Sequence, residues 1–167
     1  AVALPPYDAL PPAMPNAPAS LPSVVAVGGT TLSLDEDGAW RGETVWDDES
    51  VEEGRLVTGG GCSTVFAAPP WQLAAAGFAA IGCGGRRLSA DVAADGDPLS
   101  GFDIYDSFDY CKVSGASCSP QKERSFTEHG GWQKYGGTSL STPMITALYA
   151  LAGGAHGLAY PAASLYG

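Results

Sequence analysis

The chain has 167 residues, enough for one domain with a real buried core. Eighteen acidic residues against eight basic ones give a formal charge of -10 and a pI near 4.3, which excludes a nucleic-acid surface built on clustered Lys and Arg. Hydrophobic residues make up 45%, but no run approaches the roughly 20 apolar residues of a membrane span, so neither nucleic acid nor membrane is an expected partner.

Residues 1–20 are Pro/Ala-rich, with six prolines, and read as an irregular loop packed on a body. The chain starts without the basic and apolar regions of an export signal, so a processed or truncated form is expected. In Leu21–Thr31 the run Val24–Val27 ends in paired glycines and suits a buried strand. Thr31–Leu34 reads as a second short strand, stopped by Asp35–Gly38. Ala39–Trp46 looks like an exposed strand, and Asp47–Glu53 an acidic loop. The triple glycine Gly59–Gly61 marks a sharp turn or a close backbone approach. Pro69–Ala80 predicts one short helix with proline in its first turn. Asp91–Pro98 is turn-rich, Gly101–Tyr105 and Gly131–Tyr135 read as strands, and Cys111–Arg124 is a polar insertion.

Four cysteines and only two histidines, with no CxxC pair, argue against a zinc site, and no metal ligand is assigned. Of the three possible pairings, proximity favours Cys62 with Cys83 and Cys111 with Cys118. Such bridges imply an oxidising compartment, so a secreted, extracellular protein is expected.

Gly136–Gly154 reads GGTSLSTPMITALYALAGG. Leu140, Met144, Leu148 and Leu151 form a stripe at helical spacing, and the opposite face is apolar as well, which predicts a helix buried all round. Gly153 and Gly154 supply its stop. Thr138, Ser139, Ser141 and Thr142 crowd its start, where one or two hydroxyls are expected to cap free N–H groups. A serine there has a further use: the helix dipole and nearby amides favour the negative charge that develops in acyl transfer. The spacing is not the G-x-S-x-G of a nucleophile elbow, because Ser141 stands where the last glycine belongs. His129 is a weak candidate base, and His156 reads as a cation at the helix C-terminus.

The pattern G-T-S-x-S-x-P over Gly137–Pro143 is similar to the subtilisin-like clan, in which the serine after G-T is the nucleophile. PASLPSVVAVGGTTL (Pro18–Leu32), GGGCSTVFAAPPWQ (Gly59–Gln72), SADVAADGDPLSGFDIYD (Ser89–Asp106) and GGWQKYGGTSLSTP (Gly130–Pro143) resemble the sedolisins, the serine-carboxyl peptidases of that clan. The resemblance implies an α/β, subtilisin-like parallel-sheet three-layer fold, present in part. Residues 1–167 would then be the C-terminal portion of a peptidase domain, with 1–20 a Pro-rich loop and 21–167 core carrying the nucleophile helix. It implies Ser139 as nucleophile, and substrate backbone contacts at Gly137, Thr138, Gly59 and Gly60. It also implies a Glu general base oriented by an Asp four residues on, and an oxyanion Asp, all upstream of the VGGTT segment; nothing in residues 1–17 matches them. Calcium, which the family holds after the serine helix, is expected outside this chain, so no cofactor is assigned within it. The implied partners are a peptide or protein substrate and the missing N-terminal part of the same domain. A degenerate relative that binds peptides or a protein without cutting them is the alternative.

Overall fold

The computed structural model describes residues 17–48, 56–108 and 131–166. Its elements are β1 (Val27–Leu34), β2 (Trp40–Val45), β3 (Asp47–Asp48), β4 (Leu56–Val57), β5 (Gly61–Ala67), α1 (Pro70–Leu73), α2 (Phe78–Ile81), β6 (Arg86–Ser89), β7 (Val92–Asp95), β8 (Phe102–Asp106), β9 (Gly131–Tyr135) and α3 (Thr138–Leu151), with a closing 3-10 turn at Pro161–Leu165. Cys111, Cys118 and His129 lie outside the described residues.

The main sheet has the order β2-β1-β7. β1 and β7 run parallel, with Val27 opposite Val92 and Thr30 opposite Asp95. β1 and β2 run antiparallel, from Thr30 opposite Val45 to Leu34 opposite Trp40, with a register shift at Ser33/Leu34. The sheet is therefore mixed: the expected parallel pairing holds between β1 and β7, and β2 joins the other edge antiparallel. β5–β6 and β8–β9 form separate antiparallel pairs.

Four strand and helix expectations also change, and the first is that Asp47–Asp48, expected to open an acidic loop, is the strand β3, drawn into register by β4. The Val24–Val27 and Thr31–Leu34 segments are not two strands: one strand starts at Val27 and runs to Leu34, because β7 pairs with its first half and β2 with its second. Asp91–Pro98 contains a strand, β7, before its turn. Alanine and aspartate are poor strand formers, and here the ladder to β1 overrides local preference. Pro69–Ala80 is not one helix but two single turns, separated where Gly77 takes φ +83°. The stop after β1 is as expected: Asp35 Oδ1 accepts from the amides of Asp37 (3.1 Å) and Ala39 (2.8 Å).

α3 packs on β1 and β7. Its buried residues are Ser141 and Ile145, one turn apart. The predicted stripe lies elsewhere: Leu148 is 60% exposed and Leu151 85%. The expectation of a helix buried all round is thus overturned, because among the described residues the sheet covers α3 on one side only. A separate apolar cluster of Ala68, Phe78 and Cys83 closes around the Cys62–Cys83 disulfide, with Leu88 and Ala75 against it. That pairing is the one proximity favoured.

Candidate active site

The site grows out of the junction between β9 and α3. The chain leaves Tyr135 through Gly136 and Gly137, and Gly137 is the helix N-cap at φ +84°. Only glycine adopts that conformation without strain. Gly137 has no side chain, and no hydroxyl takes over the capping bond, so the expectation that Ser or Thr caps α3 is corrected. Backbone does the fastening instead: the Gly137 amide donates to Gly96 O at 2.5 Å, just past the end of β7. Leu140 N donates back to Gly137 O at 2.9 Å.

The hydroxyls that look alike in sequence have different fates. Ser141 is fully buried, with Oγ 3.0 Å from Ala94 O and 2.9 Å from Asp95 O. Its single proton is shared between two carbonyls at the end of β7. Thr142 is exposed, and its carbonyl accepts from Thr146 Oγ1 at 2.8 Å. Ser139 is exposed, and its hydroxyl has no partner among the described residues. It lies two residues before Ser141, about 200° round the axis at 3.6 residues per turn. Anchoring Ser141 to the sheet therefore turns Ser139 outward. The amides of Thr138 and Ser139 open the helix, ahead of the first that find an intrahelical acceptor, and the macrodipole makes that end a favourable place for negative charge.

The carboxylates behind this turn are engaged within the fold at three of their four oxygens. Asp97 Oδ2 accepts from Thr31 Oγ1 (2.8 Å) and Oδ1 from Leu99 N (2.8 Å). Asp95 Oδ1 accepts from Ser100 Oγ at 2.7 Å, and its buried Oδ2 has no partner among the described residues. His156 sits beyond the far end of α3, about 20 Å from Ser139 at 1.5 Å per residue, and its Nε2 donates to Ala152 O at 2.7 Å. It closes the helix C-terminus, as its position in the sequence suggested, and is too distant to take a proton from Ser139.

Residues 9–162 match the subtilase family of peptidases. The chain belongs to this family, in its sedolisin branch. It is 36% identical over 152 residues to sedolisin of a Pseudomonas species, a match covering 89% of this chain and 21% of that protein. It is 31% identical over 160 residues to xanthomonalisin of a Xanthomonas species, covering 89% of this chain and 16% of that one. Among solved structures it resembles Pseudomonas sedolisin, described as a serine-carboxyl proteinase complexed with pseudo-iodotyrostatin, with a TM-score of 0.64 at 36% identity. That likeness covers 89% of this chain and 34% of the solved one, and it gives the chain a subtilisin-like fold. The chain thus spans about a fifth of the length of the sedolisin it matches.

In this sedolisin-type chain the glycines serve close packing. A Cβ on Gly96 would stand 2.8 Å from Ser141 Oγ and 3.1 Å from Gly29 Cα, and one on Gly29 would stand 2.9 Å from the Trp46 ring. Gly59 and Gly60 are exposed; a Cβ on Gly60 would meet Ser89 O at 2.9 Å, whereas Gly59 faces open space. They lie at the start of β5 beside the end of β6, and Thr58 just before them accepts from the Gly29 amide at 2.7 Å. Gly137 and Thr138 adjoin Ser139 in α3. The segment after α3, residues 152–166, contains no carboxylate, and no metal-binding cluster forms among the described residues, so the residues present do not fit a calcium site there.

A buried polar network escaped sequence reasoning. Arg87 and Asp91 form a two-pronged ion pair at 2.7 and 2.5 Å with both side chains fully buried. Arg87 also donates to Leu88 O and lies 5.7 Å from the centre of the Trp71 ring. Asp91 Oδ2 accepts from Ala26 N at 2.8 Å, and Asp91 Oδ1 from the Tyr166 hydroxyl at 2.9 Å. Gln72 donates to Tyr166 Oη and to Leu88 O, both at 2.9 Å, and accepts from Leu88 N at 2.8 Å. Burial holds the Tyr166 hydroxyl above its ordinary pKa; the bond from Gln72 opposes this, and the bond to Asp91 reinforces it. The only sequence signal was an Arg four residues before an Asp, which is common on any surface.

Proposed function

We propose that this chain is a region of a secreted sedolisin-like serine endopeptidase in which Ser139 is the nucleophile. The observation that carries the reading is the division of labour in the first turn of α3: Ser141 is buried and bonded, while Ser139 is exposed and without a partner among the described residues. Ser139 Oγ attacks a peptide carbonyl and loses its proton to a base. The carbonyl oxygen takes the negative charge, the amine leaves with a proton, and water releases the acyl group from Ser139. Free amides at the helix start favour the oxyanion. The backbone of Gly137, Thr138, Gly59 and Gly60 is offered as peptide-contacting surface. The base and the oxyanion acid come from polypeptide outside this chain, as does any calcium site. The Cys62–Cys83 bridge supports an oxidising, extracellular setting.

One observation favours a second reading. Among the described residues no carboxylate or imidazole hydrogen-bonds Ser139. A serine without a base is a weak nucleophile, so a peptide-binding relative that does not cut is the rival. The 167 residues alone are expected to show no peptide turnover and no fluorophosphonate adduct. A longer polypeptide with an upstream Glu/Asp pair is expected to be labelled on Ser139, and Ser139→Ala to abolish both label and turnover. Turnover by the 167 residues that depends on Ser139 would overturn the external base. A longer form carrying that pair yet never labelled would favour the binding reading.

A further inference from the structure

The turn that carries Ser139 is one hydrogen bond short. In a regular α-helix the amide of residue 143 donates to the carbonyl of residue 139. Residue 143 is Pro143, inside α3, which has no N–H, and its ring crowds that carbonyl. The helix start has no side-chain cap either, since the N-cap is Gly137. One defect falls on the carbonyl of Ser139 itself and the other two residues before it. What holds this turn is its docking on the end of β7, through Gly137 N to Gly96 O and Ser141 Oγ to Ala94 O and Asp95 O.

We propose that Ser141 is a positioning residue, whose buried hydroxyl ties the turn to β7 where the helical bond is lost at Pro143 and so fixes the direction and surroundings of the Ser139 side chain. The inference rests on Ser139 being the reactive position. Three features support it. Ser141 is fully buried and lies on the opposite side of the helix from Ser139, so its bond sets the rotation of the turn about its axis. Gly96 leaves room for the hydroxyl and for nothing larger, since a Cβ there would stand 2.8 Å from it. A packing role alone would be filled by alanine, whereas here the hydroxyl joins the first turn to two carbonyls of a neighbouring strand.

The test needs no catalytic base. Ser139→Cys places a thiol at the reactive position of the 167-residue chain, and peptide mapping separates its alkylation by iodoacetamide from that of the other cysteines. The pH at which alkylation reaches half its plateau reports how well the helix start stabilises the thiolate. Adding Ser141→Ala is expected to move that midpoint up by about half a pH unit and to slow alkylation at pH 7 about threefold. Adding Pro143→Ala as well restores the amide donor to residue 139 and is expected to recover most of the shift, a coupling that loss of packing at 141 would not show. Should Ser141→Ala fail to fold, Gly96→Ala pushes against the same hydroxyl as well as Gly29 Cα and Gly137 O, and must raise the midpoint by an amount that Pro143→Ala relieves. An unchanged midpoint, or a shift indifferent to Pro143→Ala, would overturn the proposal. A shifted midpoint in a protein whose longer form never reacts with fluorophosphonate would keep Ser141 as an anchor and remove Ser139 as a nucleophile. An unchanged midpoint beside a reactive Ser139 would sink the positioning role alone.

Discussion

The network around Arg87 and the first turn of α3 are both polar, and they treat their polar groups in opposite ways. Around Arg87 nearly every group finds a partner inside the fold: Asp91 accepts from Arg87, Ala26 and Tyr166, and Gln72 bridges Tyr166 and Leu88. Arg87 Nε is the exception among its donors. At the helix start the hydroxyl of Ser141 is consumed and that of Ser139 is left free among the described residues. A closed set of bonds specifies structure, because any one of them is costly to leave unmade. An open hydroxyl specifies nothing about the fold and is available to a molecule from outside.

The comparison is broken most forcefully at Arg87. Arg87→Met leaves Asp91 buried without its counter-charge, and is expected to lower the unfolding free energy by about 3–5 kcal/mol in urea titration. A loss below 1 kcal/mol would mean that water reaches the pair. Tyr166→Phe removes one donor to Asp91 and one acceptor for Gln72, and should cost about 1–2 kcal/mol by the same measurement. Its pH signature has a definite sign. The folded state holds the Tyr166 proton more tightly than the unfolded chain, so the contribution is whole below the ordinary tyrosine pKa of about 10 and is lost as pH rises above it. The urea midpoint should therefore fall above pH 10 more steeply in the natural chain than in Tyr166→Phe. The smallest effect is expected at the open end. Ser139→Ala should shift the unfolding free energy by no more than about 0.5 kcal/mol, because the side chain is exposed and makes no bond with a described residue. A large loss there would show that Ser139 is a structural residue after all.

Local chemistry was legible where it is enough to decide the outcome. The exposed strand β2, the β8 and β9 strands, the turn at Asp35 and the stop at Gly153–Gly154 follow from alternation, turn residues and glycine. The family resemblance was carried by short segments whose order is kept over most of the chain. What could not be read was decided by partners distant in sequence. β7 is a strand because β1 lies beside it, and the face of α3 that is buried follows from which side meets the sheet. The apolar stripe of Leu148 and Leu151 gave the period of the helix correctly and its buried face wrongly. The G-T-S motif singled out Ser139, but that Ser141 is buried was decided by the carbonyls of Ala94 and Asp95, which its spacing does not announce. Arg87 and Asp91 carry no mark of burial in their spacing.

Gly29, Gly96 and Gly137 meet where β1, β7 and the start of α3 come together. Helices ordinarily rest on a layer of side chains that can change rotamer and absorb a small displacement. At this seam main chain lies directly on main chain, so there is no such cushion. A shift of the β7 end is therefore expected to carry the backbone at residue 139 with it, through the Gly137–Gly96 and Ser141–Ala94/Asp95 contacts.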